Sequence, residues 1–293
     1  MDIDTGTAEL LCSIRDRVAV VTLNRPEARN ALSDRLTPAL RRMIRLCVDD
    51  ERIGALLITG AGNAFCAGGD VKSMGGQSGK EAVPAEQMAG DLRERQRTLT
   101  GALAALRKPT VAALPGPAAG AGLAIALACD IRIAARSAFI TTGYLRIGLC
   151  GDYGISWLLT RAVGASRARE LMLFSDRIDA VSAERIGVFN RVVDDEELQD
   201  ASFDAARRLA RQPAQALGLM KDNLDEAGSV SLLTSLDREA DRMIVAARSE
   251  EHAKAVRDFI AEGQSRPDRH AQHRHAQHSH GQHRHGQRIE ASS

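Results

Sequence analysis

The sequence predicts an α/β fold followed by an all-helical C-terminal part. Two observations carry this. Over the first two thirds, short β-branched runs alternate with stretches of helical periodicity, and beyond about Asp195 the strand signal ends. A third bounds the size, since 293 residues bury enough apolar surface to fold without disulfides or metals.

In chain order, Val18 to Leu23 and Gly54 to Thr59 read as strands. Between them, Leu32 to Val48 carries Leu36, Leu40, Met43, Ile44 and Cys47 at helical spacing, with Ser33 or Asp34 placed to cap its start. A second round follows: a helical stretch from about Ala85 to Leu106, a strand Thr110 to Leu114, then a glycine- and alanine-rich turn opening an apolar helix up to Cys129. Ile131 to Ala135 is a strand, Ala180 to Ile186 a short helix, and Val188 to Val193 a strand. Glu196 to Gln212, Ala214 to Glu226 and Ser231 to Glu262 read as helices. The expected division is a flexible N-terminus over residues 1–10, a core over 11–197, a helical module over 198–265 and a His-rich tail over 266–293. The tail holds seven of the eight histidines and nothing to bury before Ile289, so it is expected to be disordered.

Charge narrows the function classes. The 39 basic and 38 acidic side chains nearly cancel, which argues against nucleic acid or an anionic membrane as partner. No stretch approaches the roughly 20 apolar residues of a membrane helix. The N-terminus carries Asp2, Asp4 and Glu9 where a secretory signal would be basic and then apolar, so a cytoplasmic location is expected. Cys12, Cys47, Cys66, Cys129 and Cys150 have no zinc-site spacing and read as reduced thiols, mostly buried.

The chemistry-bearing residues lie in turns after strands. Ala64-Phe65-Cys66-Ala67-Gly68-Gly69-Asp70-Val71-Lys72 follows one strand, and Gly116-Pro117-Ala118-Ala119-Gly120-Ala121-Gly122 follows another. With Leu23-Asn24-Arg25-Pro26-Glu27-Ala28-Arg29-Asn30-Ala31-Leu32, Leu127-Ala128-Cys129-Asp130-Ile131 and Leu159-Thr160-Arg161-Ala162-Val163-Gly164, they make five ordered matches from about Arg17 to Pro267. The chain thereby resembles the crotonase (enoyl-CoA hydratase/isomerase) family.

That resemblance implies a spiral of repeated ββα units, a C-terminal helical module that builds trimers or pairs of trimers, and an acyl-CoA thioester as substrate with no further cofactor. It also implies that the N–H groups of Gly69 and Ala121 hold the enolate oxygen. Preorganised amides are suited to this because they stabilise developing charge without reorienting. Glycines beside them leave room for the thioester to reach the backbone. By the same match, Ala67 contacts the adenine and Lys72 the CoA phosphates. Asp70 is a further substrate-binding candidate, with Arg29 and Lys221 as secondary phosphate candidates. Ser73 to Lys80 is expected to be a flexible wall of the acyl pocket.

The sequence departs from the family's hydratases at both water-splitting glutamates, where Ala124 and Tyr144 stand. Neither is a competent base at neutral pH. Asp152 remains, at the position of the catalytic aspartate of the family's isomerases, and the surrounding sequence is closest to the branch lacking both glutamates. Its alternative task is to cap the helix that follows. Tyr144 is expected to line the acyl pocket. Three readings stay open: an enoyl-CoA isomerase using Asp152, a hydratase using Asp152 with Tyr144, and a catalytically silent CoA-binding protein.

Overall fold

A computed structural model describes residues 1–70 and 83–265, with side chains to residue 261. Lys72, Ser73 to Lys80 and the His-rich tail lie outside the described residues. Among the described residues the main sheet has seven strands, in the order β1-β2-β3-β4-β5-β7-β10. They are β1 (Asp2–Ile3), β2 (Leu10–Arg15), β3 (Val18–Leu23), β4 (Ala55–Gly60), β5 (Thr110–Leu114), β7 (Ile131–Ala135) and β10 (Arg191–Val193). From β3 onward the pairs are parallel, while β1-β2 and β2-β3 are antiparallel. A smaller sheet joins β6 (Ala118–Ala119), β8 (Phe139–Thr141) and β9 (Ile178–Asp179) in the order β6-β8-β9.

The central parallel strands are mostly apolar because both faces are covered, with Arg132 of β7 as a buried exception. Ala19, Val21, Leu56 and Ile58 point into one core, together with Leu36, Leu40 and Ile44 of helix α1 (Leu36–Asp49). Val18, Ala55, Leu57 and Val111 point the other way, into a second core with Leu198, Ala206 and Ala210. Fully burying a leucine or isoleucine is worth roughly 1.5–3 kcal/mol, so the two cores fix every strand's register against a one-residue slip.

The remaining helices are α2 (Ala85–Gln96), which runs on through a π turn, α3 (Ala121–Leu127), α4 (Ile155–Phe174) and α5 (Ala180–Arg185). After these come α6 (Leu198–Ala210), α7 (Ala214–Ala227), α8 (Leu232–Ala247) and α9 (Glu250–Ser265). Helix α4 breaks its helical dihedrals at Gly164.

Two expectations change. The first ten residues hold a strand: Ile3 pairs with Cys12, and Thr5 Oγ1 donates to the Leu10 carbonyl at 2.6 Å. The compact division falls between Ser235 and Leu236 rather than near residue 197, because α6 closes the second core on the sheet. All five cysteines are free, four of them buried and Cys150 exposed.

Candidate active site

The site is assembled from three loops that follow neighbouring parallel strands: residues 24–35 after β3, 61–70 after β4 and 115–120 after β5. Main-chain hydrogen bonds stitch them together. Ala67 N donates to Arg29 O at 3.0 Å and Leu32 N to Gly68 O at 2.8 Å, joining the first loop to the second. Phe65 N donates to Pro117 O at 3.1 Å and Ala119 N to Cys66 O at 2.9 Å, joining the second to the third. Asn30 is fully buried at the centre; its Nδ2 donates to Ala61 O at 3.0 Å and Ala64 O at 2.8 Å, and its Oδ1 accepts from Arg25 N at 2.8 Å. Sequence reasoning placed Asn30 inside a motif without assigning it this work.

The two glycine turns come into contact. A Cβ on Gly68, whose φ is +90°, would stand 2.8 Å from Ala119 O and 3.4 Å from Ala121 N. A Cβ on Gly122 would collide with Cys66 O. Ala121 is the first residue of α3, so its N–H has no acceptor within the helix. Gly69, Ala121 and Asp152 line one cleft of about 600 Å³.

Asp152 does not cap α4. That helix opens at Gly154 with no side-chain cap, and only the Asp152 carbonyl takes part, accepting from Ile155 N at 3.1 Å. The carboxylate instead accepts from Tyr144 Oη at 2.7 Å. Burial raises the Asp152 carboxyl above its ordinary range, and the Tyr144 bond pulls partly the other way. Burial and the neighbouring carboxylate push the Tyr144 phenol far up, so it stays protonated and serves as a donor. A half-buried carboxylate with an elevated proton affinity beside a cleft is suited to taking up and returning a proton. Ala124, one turn into α3, is fully buried.

The family model described as "Enoyl-CoA hydratase/isomerase" matches residues 13–266. The chain belongs to this family. Over 253 residues it is 38% identical to the 1,2-epoxyphenylacetyl-CoA isomerase of Escherichia coli (strain K12), covering 86% of this chain and 95% of that protein. Over 255 residues it is 34% identical to a Mycobacterium tuberculosis (strain CDC 1551 / Oshkosh) protein named "Probable enoyl-CoA hydratase", covering 87% and 96%. Among solved structures, the enoyl-CoA hydratase from Bacillus anthracis superposes with a TM-score of 0.80 at 27% identity, over 87% of this chain and 96% of that one. The enoyl-CoA hydratase from Polaromonas sp. JS666 gives 0.80 at 28% identity, over 86% and 97%. The chain is accordingly an enzyme with the crotonase fold that the motifs pointed to, and the isomerase relative agrees with the branch they resemble.

The remaining residues of this enoyl-CoA hydratase/isomerase sort differently. Arg29 is exposed, with its backbone in the left-handed region at φ +50° and its carbonyl engaged by Ala67 N. Asp70 lines the cleft and pairs with Arg25 at 3.3 Å, so its charge also serves the first loop. Lys221 leaves the phosphate candidates: it is buried, and its Nζ donates to Asp130 Oδ2 at 2.8 Å. The same oxygen accepts from Thr110 N at 2.7 Å, so the cluster pins α7 to the start of β5. Tyr153, buried at φ +49° next to Asp152, was not singled out; only the fold brings it to the cleft. Among the described residues no helix is long and apolar enough to cross a membrane, and no group of His, Cys, Asp or Glu could hold a metal.

Proposed function

We propose that the chain shifts a double bond in an unsaturated acyl-CoA. In this reading the N–H groups of Gly69 and Ala121 hold the thioester oxygen while Asp152 carries a proton from one carbon to another. The observation that carries it is the single cleft shared by Gly69, Ala121 and Asp152, with alanine and tyrosine at the two glutamate positions of hydratases. The amides stabilise the dienolate oxygen, and the carboxylate needs no water. Tyr144 holds the acid in place rather than acting as a second base.

The reading extends to binding and assembly. Ala67 would meet the adenine and Lys72 the phosphates, with Asp70 and Arg29 beside them, and CoA arrives as part of the substrate, so no separate cofactor is needed. A homotrimer, or two paired, in the cytoplasm is the proposed working form. Exposed Met243 and Ile244 on α8 and Phe259 and Ile260 on α9 support it as surfaces suited to burial against other copies.

The test is conversion of a 3-enoyl-CoA to its 2-enoyl isomer by the purified protein, with Asp152→Asn lowering the rate roughly 10²- to 10⁴-fold. An unchanged rate rejects the role of Asp152. The names of several relatives favour a second reading, hydration through Asp152. Oxygen from labelled water would then appear in the product, and an isomerase leaves the product unlabelled. Binding of acyl-CoA without turnover of any enoyl ester would instead mark the silent protein.

A further inference from the structure

Two guanidinium groups line the same cleft and have no part in the chemistry above. Arg41 projects from α1 and Arg95 from the last turn of α2, and both border the space that Asp152 borders. Among the described residues neither has a carboxylate within ion-pair distance. Asp34 also lines the cleft without pairing to them, and Asp152 is held by Tyr144.

Arg41 is the more telling of the two. Its Nε is buried with no hydrogen-bond partner, a costly state for a donor. Its guanidinium lies beside the buried Tyr153 phenol, and Tyr153 directly follows Asp152. Arg41 therefore flanks the acid that works on the acyl carbons. A plain hydrocarbon tail in this place would strip water from a guanidinium and return nothing. A carboxylate would meet the planar fork with two parallel charge-assisted bonds.

We infer that the acyl group taken by this cleft carries a second carboxylate, received by Arg41 with Arg95 at the rim; the inference rests on the acyl-CoA reading above. The enzyme would then act on monothioesters of dicarboxylic acids in preference to simple alkyl thioesters.

Titration calorimetry on the full chain with adipoyl-CoA, hexanoyl-CoA and free CoA tests this. The expected result is a preference of about tenfold or more for adipoyl-CoA over hexanoyl-CoA, the worth of one well-made charged pair. In Arg41→Gln the two affinities should converge while that of free CoA holds. Arg41→Lys, which keeps the charge and loses the fork, should fall between, and it serves if the glutamine variant does not fold. Equal wild-type affinities for the two esters would overturn the inference and leave the acyl-CoA reading intact. An equal loss for all three ligands in the variant would also overturn it, since Arg41 would then be reading phosphate. Failure of the wild type to bind any of the three would overturn the acyl-CoA reading itself.

Discussion

Tyr144 Oη donates to Asp152 Oδ1 across 2.7 Å, with the phenol almost wholly buried. The bond favours the ionised carboxylate, while burial disfavours it. Removing the hydroxyl in Tyr144→Phe leaves burial unopposed and raises the Asp152 proton affinity further. If proton removal by ionised Asp152 limits turnover, the acid limb of the kcat profile should move to higher pH in the variant. A limb that stays in place would show that Asp152 does not set it.

The same shift fixes a stability effect. Because the folded carboxyl is raised, the native state binds its proton more tightly than the unfolded chain, and ionisation opposes folding. Asp152→Asn should therefore raise Tm at neutral pH while lowering turnover as set out above. The gain should appear as pH rises through the ordinary carboxylate range near ~4 and vanish below it. Thermal scans at several pH values check the sign.

Asn30 offers a sharper case of loop bracing. Asn30→Asp keeps the shape but replaces a donor with an acceptor facing two carbonyls, Ala61 O and Ala64 O. Two lost bonds and a buried charge should cost at least ~2–3 kcal/mol in urea unfolding. Activity should fall as well, since these bonds hold the loop that carries Gly69.

Gly68→Ala sets a Cβ against Ala119 O at a φ that L side chains seldom adopt. Strain and overpacking of ~1–3 kcal/mol should push the two turns apart, with kcat falling more than the folded fraction. Equal falls would mean the change only unfolds the protein.

For Lys221→Met the expected outcome is loss of stability without loss of CoA affinity. The ammonium is spent on Asp130, and removing it leaves that partly buried carboxylate with Thr110 as its remaining donor, for about 1 kcal/mol. Calorimetry with free CoA alongside urea melts separates this from a phosphate-binding role.

What could be read from the sequence follows from where the signal was local. Val18–Leu23, Thr110–Leu114 and Ile131–Ala135 are short, mainly apolar runs rich in β-branched residues, and each forms a strand over those bounds. β2 went unread because its hairpin turns through Asp16 and Arg17, both at positive φ, with no glycine to announce it. α1 begins at Leu36 rather than Leu32, since Leu32 N is drawn to Gly68 O and Ser33 Oγ accepts from Leu36 N at 3.0 Å. The strand expected from Val188 starts only at Arg191, because Val188 N and Phe189 N close the end of α5 on Ala183 O. In the site, the glycine turns were legible as motifs. The burial of Lys221 and the approach of Arg41 arise from packing between distant segments, and the Tyr144–Asp152 bond from the way residues 144–152 fold back, none of which periodicity records.

The stitching of the three loops uses main-chain atoms almost throughout. Short of proline, a point substitution cannot remove a main-chain N–H; it can only tilt one. On the proposed reading, the side chains at 124, 144 and 152 are the positions whose exchange would alter the reaction while the main-chain scaffold around Gly69 and Ala121 is retained. New chemistry in this protein is best sought by swapping those three positions together and leaving the turns alone.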